Sequence, residues 1–330
     1  MPAPWRAIAA ERACLTSTEG AKSTDMEYIL ETQNLTKIYG QKEAARDVNI
    51  HIREGQIYGL IGRNGAGKTT IMRMISGLST PTRGDYTLFG KTGREKGKML
   101  KKVGVLIEHP GLYPRLSAYE NIKIKCIGMG LNPKGTVEEL LRTVGLENTD
   151  KRKAAGSFSL GMRQRLGIAL ALVGDPKILI LDEPINGLDP QGIAEMREML
   201  EKLRGEKGIT IMVSSHILDE LSKIADAYGI IHEGTLLDEF DAEELHKRSS
   251  RSVIIRTDDN HAALKALAGI GLDAKVAEHD GSLKITDHLE ETDVMAKAIV
   301  NAGIGLKEIY LHTLSLEDYY LGVTGGNHNG

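Results

Sequence analysis

Cysteine is almost absent from this chain: Cys14 and Cys126 are the only two in 330 residues. Two lone thiols form no disulfide framework and match no zinc spacing, a usage that suits a reducing cytosol. Long hydrophobic runs are missing as well. No apolar stretch approaches the ~18 residues that a membrane-crossing helix needs, so any tie to a membrane has to come through a partner. Nor does one sign of charge dominate. The 42 Lys and Arg stand against 45 Asp and Glu, without the basic stripe expected of a nucleic-acid binder. One basic cluster exists, Lys91, Arg94, Lys96, Lys98, Lys101 and Lys102, and it reads as a solvated turn and helix face.

What is present is enough residues for one large core or two modest ones. Residues 1–25 lack the roughly 7–15-residue apolar stretch of a secretory signal and show no period. They are expected to be a disordered extension, or to follow from a start assigned too far upstream. Patterned sequence begins at Met26, with Tyr28-Ile-Leu-Glu-Thr32 as a first strand.

From there to about residue 240, short apolar runs alternate with helical patterns, which predicts an α/β fold with a largely parallel core sheet. Four runs, Gln56–Ile61, Val103–Ile107, Lys177–Leu181 and Ile209–Val213, are continuous in hydrophobicity and so predict strands buried on both faces. Each ends at a polar or glycine-rich segment: Gly62 onward, Glu108, Asp182-Glu183, and Ser214-Ser215-His216. Ligands of parallel sheets bind beyond the carboxyl ends of the strands, so these four segments should converge on one site. Residues 109–160 read mostly as helix, around 118–128 and 136–144, an expected helical subdomain.

Beyond residue 240 a second unit is predicted. Its order is strand (253–256), helix (261–268), a hairpin (272–278 and 282–286) turning at Asp280-Gly281, helix (292–302) and strand (306–311). That β-α-β-β-α-β order is ferredoxin-like, and Ser315-Leu-Glu-Asp318 resembles a capping box opening a last helix. The expected domains are therefore 26–240, with the helical subdomain inside it, and an accessory α+β domain over 241–323. Residues 324–330 are expected to form a disordered tail.

The chemistry-bearing motifs follow the strands. Gly62-Arg63-Asn64-Gly65-Ala66-Gly67-Lys68-Thr69-Thr70 has the spacing of a P-loop, with a strand before it and a helix after. Its glycines let backbone N–H groups wrap a phosphate, Lys68 reaches the outer phosphates, and the Thr69 hydroxyl can ligate Mg²⁺. A bare glycine-rich turn does not require that flanking pattern. Asp182, at the end of a buried strand, needs a cation or donor and would orient Mg²⁺. Glu183, one residue on, is placed to polarise an attacking water. Gly156-Ser-Phe-Ser159-Leu160-Gly161-Met-Arg-Gln opens a second helix with a serine and free N–H groups, a second anion cradle. Two cradles make sense if two chains face head to tail, each closing the other's nucleotide.

With these elements assembled, residues 27–240 resemble the ATP-binding subunits of ABC transporters. The resemblance implies a P-loop ABC cassette fold with a RecA-like core sheet, an antiparallel β part and an inserted helical subdomain. It implies that Tyr39 stacks on adenine and that Glu108 stands at the Q-loop position beside the metal. Ser159, Leu160 and Gly161 would be the signature acting across a dimer, Asp182 and Glu183 the Walker B pair, Asp189 the D-loop residue, and His216 the switch at the γ-phosphate. ATP and Mg²⁺ are the implied cofactors. A membrane-spanning permease and a second copy of the chain are the implied partners, with a cytoplasmic position at the inner face of the membrane and no nucleic-acid partner.

The sequence departs from the general family pattern at three positions. Leu160 replaces a glycine, Met162 a glutamine, and Glu108 the Q-loop glutamine. The signature and Q-loop changes, and the ending Ser315-Leu-Glu-Asp-Tyr-Tyr320, resemble the bacitracin- and lantibiotic-exporter branch. Two rival readings are a non-transport ABC ATPase acting on ribosomes or DNA, and a scaffold that binds ATP without turnover. A single P-loop, no room for a long coiled coil between Lys68 and Asp182, and the presence of Glu183 and His216 weigh against them.

Overall fold

The computed structural model describes residues 28–248, 251–276, 281–313 and 315–325. The expected extension over 1–25, residue 280 of the expected hairpin turn, and residues 326–330 of the expected tail lie outside them. The described residues divide into two compact units, the first ending at Ala242 and the second beginning at Glu243.

The first unit is built on a six-stranded sheet. Its members are β4 (Ile57–Ile61), β6 (Val103–Leu106), β7 (Ile178–Asp182), β8 (Thr210–Ser215), β9 (Ala227–His232) and β10 (Thr235–Asp241), in the order β10-β9-β4-β8-β7-β6. Neighbours from β9 to β6 are parallel, and β10 returns antiparallel beside β9. β4, β7 and β8 are buried at every residue. That burial explains why they read as unbroken apolar runs: each faces protein on both sides, and each fully buried aliphatic side chain contributes about 1.5–3 kcal/mol.

An antiparallel sheet stands with it: β1 (Tyr28–Tyr39) lies between β2 (Lys42–Val48) and β3 (His51–Arg53), and β5 (Arg83–Leu88) also pairs with β1. β1 extends seven residues past Thr32, where the apolar pattern stops. The cause is two buried hydroxyls. Thr32 Oγ1 donates to the Val48 carbonyl at 2.9 Å and accepts from Ile50 N–H at 2.7 Å, and Thr36 Oγ1 accepts from Asp47 N–H at 3.0 Å. Satisfied polar groups replace apolar side chains inside the strand, and its pairing shifts register there.

The helices of this unit are α1 (Lys68–Ile75), α2 (Gly93–Met99), α3 (Ala118–Gly128), α4 (Thr136–Thr143), α5 (Leu160–Leu172), α6 (Pro190–Lys207) and the single turn α7 (Leu218–Leu221). α3 starts where a capping box stops the chain fraying: Ser117 accepts from Glu120 N–H while Glu120 accepts from Ser117 N–H. The basic cluster runs from Lys91, just before α2, along the helix and beyond it to Lys102; α2 buries no residue, and there Lys96 pairs with Asp85 and covers the Tyr86 ring.

α8 (Ala242–Arg248) crosses the division between the units. The second unit then has β11 (Arg251–Thr257), α9 (Asn260–Ala268), β12 (Lys275–Val276), β13 (Leu283–Ile285), α10 (Thr292–Asn301), β14 (Leu306–Thr313) and α11 (Leu316–Thr324). The sheet order β12-β13-β11-β14, with every neighbour antiparallel, is the ferredoxin-like arrangement. Val253, Ile255, Leu283 and Ile285 on one sheet face pack with Ala263, Leu267, Met295 and Ile299 from α9 and α10. α11 runs to Thr324 and closes on Gly325 in the left-handed conformation, beyond the expected domain end at 323.

One polar cluster joins the two sheets of the first unit. Glu239 of β10 accepts from the His51 backbone N–H at 2.8 Å and from the buried Tyr58 hydroxyl at 2.8 Å, and faces His51 Nδ1 at 2.7 Å. The Glu239 bond raises the His51 pKa above its ordinary value against the opposing effect of burial. A raised folded-state value stabilises the protein below the unfolded imidazole pKa near ~6.5 and loses that contribution as pH rises through the folded value. The stability gap between the wild type and His51→Asn, from urea unfolding, should therefore shrink between about pH 6 and 8; a gap that widened would contradict the assignment.

Candidate functional site

The site forms where the parallel strands end. Ile61 runs into the P-loop, Asp182 closes β7 opposite Ser214 of β8, and β8 delivers His216 one residue past its end. A cleft of about 320 Å³ opens there, walled by Tyr39, Arg63, Asn64, Gly65, Gly67, Lys68, Thr69, Thr70 and Glu183, with Lys42 and Ala44.

Its floor is the P-loop. Gly67 sits at φ 109°, and a Cβ there would fall 2.5 Å from the Ala44 carbonyl oxygen, so only glycine fits between the loop and β2. Gly67 is also the N-cap of α1; no side chain caps it, and no acidic residue lies in the first turn. The first-turn N–H groups of that helix, together with its dipole, favour an anion.

Lys68 is 5% exposed. Its ammonium donates to the Gly62 carbonyl at 2.5 Å and lies 3.0 Å from Glu183 Oε1. The other Glu183 oxygen faces His216 Nδ1 at 2.7 Å. Glu183 has φ 50°, a left-handed conformation that is uncommon outside glycine and is held here by its surroundings. Part of that hold is the bond from Glu183 N–H to Ser214 Oγ at 2.9 Å.

Asp182 is buried at 5% exposure and accepts from two hydroxyls, Thr69 Oγ1 at 2.7 Å and Ser214 Oγ at 2.6 Å. Among the described residues no cluster of three His, Cys, Asp or Glu side chains forms a metal cage. The Thr69 hydroxyl and Asp182 carboxylate are instead a small set of hard oxygen donors. Such a set fits Mg²⁺, which is commonly held by one or two protein oxygens with phosphates and water completing its shell.

The structure thus brings Thr69, Asp182, Glu183, His216 and Lys68 together. Tyr39 stands at the rim, 48% exposed, with the Lys37 ammonium 5.1 Å from its ring centroid. The remaining expected residues lie outside the cleft walls. Glu108 is exposed, at φ 62°, and pairs with Arg73 of α1 at 2.8 Å. Ser159 caps α5 by accepting from Met162 N–H at 3.2 Å. Leu160 and Gly161 face the turn at Gly187-Leu188: Cβ positions at Gly187 and Gly161 lie 3.1 Å from Leu160 and 3.6 Å from Leu188 respectively. Asp189 caps α6, accepting from Gly192 N–H at 3.0 Å.

Sequence reasoning placed Ser214 in a segment expected to reach the site but gave it no role, and it missed Arg73. The role of Ser214 shows only in its β8 register opposite Asp182; Arg73 lies in the last turn of α1, beyond the P-loop motif.

Residues 45–186 match the protein family described as ABC transporter. The bacitracin transport ATP-binding protein BcrA of Enterococcus faecalis is 44% identical over 91% of this chain and 98% of its own length. The protein of the same name from Bacillus licheniformis is 42% identical over 91% and 99%. The lantibiotic transport ATP-binding protein SrtF of Streptococcus pyogenes is 48% identical over 66% of this chain and 93% of its own. Among solved structures, cbiO1 from Clostridium perfringens, part of the ABC transporter complex cbiONQ, superposes with a TM-score of 0.61 at 27% identity, over 74% of this chain and 96% of that one. A dimeric ATP-binding cassette in a post-hydrolysis state with ADP and Pi gives 0.58 at 26% identity, over 64% and 98%. This chain belongs to the ATP-binding subunits of ABC transporters. It is an ATPase of that class, in which cassettes work as dimers.

Ser214 is fully buried and bridges Asp182 to the Glu183 backbone. Ser214→Ala leaves two buried polar groups each short of a partner, and a destabilisation of about 1–3 kcal/mol should appear in urea unfolding. An unchanged midpoint would remove Ser214 from this supporting role.

Proposed function

We propose that this chain powers an exporter of a peptide antibiotic, serving resistance or immunity; the support is that its relatives carry the names bacitracin transport and lantibiotic transport ATP-binding protein. It would work as a homodimer with ATP sandwiched between copies, bound to a separate membrane-spanning permease at the cytoplasmic face of the membrane. No helix among the described residues is long and apolar enough to cross a membrane, so the permease supplies that passage. A candidate docking face lies on the helical part after Glu108. Tyr113, Ile124, Ile127 and Met129 are exposed around a cleft of about 350 Å³ that Gly111, Tyr113, Ile124 and Met129 help to wall. Apolar side chains gathered round a cleft favour a protein partner.

Within the site, the roles follow from reach and charge. Tyr39 offers its ring to the adenine. The backbone of Gly62–Gly67 and the start of α1 cradle the phosphates, with Arg63, Asn64, Gly65 and Ala66 shaping the loop and Thr70 extending the helix start. Thr69 and Asp182 would hold Mg²⁺, with Glu108, now paired with Arg73, as a further candidate ligand; the metal would neutralise phosphate charge. Ser159, Leu160 and Gly161 close over the nucleotide of the other copy, and Asp189 fixes the start of α6 beside them.

The observation that carries the reading is the double tether of Glu183. Lys68 holds one carboxylate oxygen and His216 the other. The outer phosphates in the cradle compete for the Lys68 ammonium, so their arrival frees Glu183 Oε1 to accept a proton from water. His216 keeps the carboxylate oriented and meets the phosphate side of the reaction. Hydrolysis is thereby tied to a filled cradle.

Glu183→Gln preserves the shape and removes the base. Turnover should fall at least ~100-fold, the low end for a general base, while ATP still binds and the variant accumulates as an ATP-bound dimer by gel filtration. Near-normal turnover in a folded Glu183→Gln protein would take the catalytic role from this residue.

A further inference from the structure

The sheet of the second unit ends on β14, an eight-residue strand with no neighbour on its far edge among the described residues. An edge of that length presents a row of unpaired N–H and C=O groups, and it acts as a pairing surface unless proline, a bulge or charge blunts it. The opposite edge is blunted: β12 has two described residues, and one is Lys275. β14, Leu306-Lys-Glu-Ile-Tyr-Leu-His-Thr313, has no proline; its one register shift and its charged Lys307 and Glu308 lie in the first three residues, which leaves the stretch from Ile309 onward as the open edge. Tyr310 and Leu311 stand open on it, each 43% exposed. A groove of about 390 Å³ runs beside the strand toward α10, walled by Ile309, Leu311, Leu289 and Ala296 among others.

We propose that β14 pairs with the β14 edge of a second copy of the chain, antiparallel about a two-fold axis through Tyr310. In an antiparallel self-pair, opposite residues share the same alternation, so the axis must fall on a residue and not between two. An axis on Tyr310 sets Glu308 opposite His312 and Ile309 opposite Leu311, each pair occurring twice by symmetry. Moving it to Ile309 sets Lys307 against Leu311 and Glu308 against Tyr310. Moving it to Glu308 or Leu311 also loses the glutamate–histidine match. The register through Tyr310 therefore matches hydrogen-bonding and apolar side chains together.

Pairs within each chain extend that match. Glu308 faces Arg256 at 3.1 Å, and His312 faces Asp318 at 3.4 Å. Pairing in this register lines up Arg256, Glu308, the second copy's imidazole and its aspartate as a chain of hydrogen-bonding partners. Ile309 and Leu311 belong to the sheet face that packs under α10, so the two apolar grooves become continuous.

One strand edge buries less than the ~1,200 Å² of a lasting dimer, so the contact is weak when it acts alone. Cassettes of this family already meet as dimers, and a second contact between linked copies benefits from an effective concentration of order mM. The contact would keep two copies together when the ATP interface opens. It goes beyond the functional reading and does not depend on Glu183 or on bound nucleotide.

Cross-linking tests it on the full-length chain without nucleotide, in a Cys14→Ser background; Cys126 is buried on α3. Opposed Cα atoms of an antiparallel pair lie about 4.5–5.5 Å apart, within disulfide reach. Tyr310→Cys should oxidise to a covalent dimer. Lys307→Cys, held ~20 Å from its copy in this register, should not, and adding Leu311→Lys to Tyr310→Cys should slow cross-linking at least tenfold. A Tyr310→Cys chain that stays monomeric, or a Lys307→Cys chain that links equally fast, would overturn the proposal. ATPase activity of the reduced Tyr310→Cys chain should match wild type, so a failure to cross-link leaves the functional reading to its own test.

Discussion

Lys68 carries the only ammonium in the cleft wall that is almost wholly withdrawn from water, and the arrangement around it follows from that burial. A buried cation must be paired and hydrogen-bonded. The chain meets that demand with the Gly62 carbonyl and the Glu183 carboxylate. Glu183 reaches Lys68 because it sits immediately beyond β7, with its backbone turned into the left-handed region and fastened to Ser214. The P-loop, two strand ends and the His216 segment are thus locked to each other through one charge. The same charge is what a phosphate seeks, so ligand and internal carboxylate compete for it.

Much of this is legible in the sequence. Unbroken apolar runs marked the parallel strands because burial on both faces leaves no polar position. Their polar ends then pointed to a shared site, and Lys68, Thr69, Asp182, Glu183 and His216 do converge. The antiparallel sheet was less visible. Thr32 and Thr36 lie inside it with their hydroxyls satisfied by backbone, which erases the alternation that identifies a strand. Ser214 stood in one of those polar ends, but its bridging role was not readable, because it comes from strand register, a long-range property that no local pattern carries.

Glu108 illustrates how far a motif position reaches by itself. Its place at the end of β6 was readable, and so was its departure from glutamine. Its partner was not, since Arg73 comes from the last turn of α1, 35 residues earlier in the chain, and no local pattern pairs them. The second unit shows the reverse case. Its element order gave the topology, while the open edge on β14 emerged only when the strand order placed β14 at the end of the sheet.

Competition for Lys68 is the centre of the account, and ADP affinity reports on it without turnover. Isothermal titration of Mg-ADP into the wild type and Glu183→Gln compares a lysine bound to a carboxylate with one bound to a neutral amide. Removing the internal rival should tighten ADP binding, with Lys68→Met abolishing the difference between the two backgrounds. Equal or weaker binding by Glu183→Gln would contradict the idea that Glu183 and the phosphates share one ammonium.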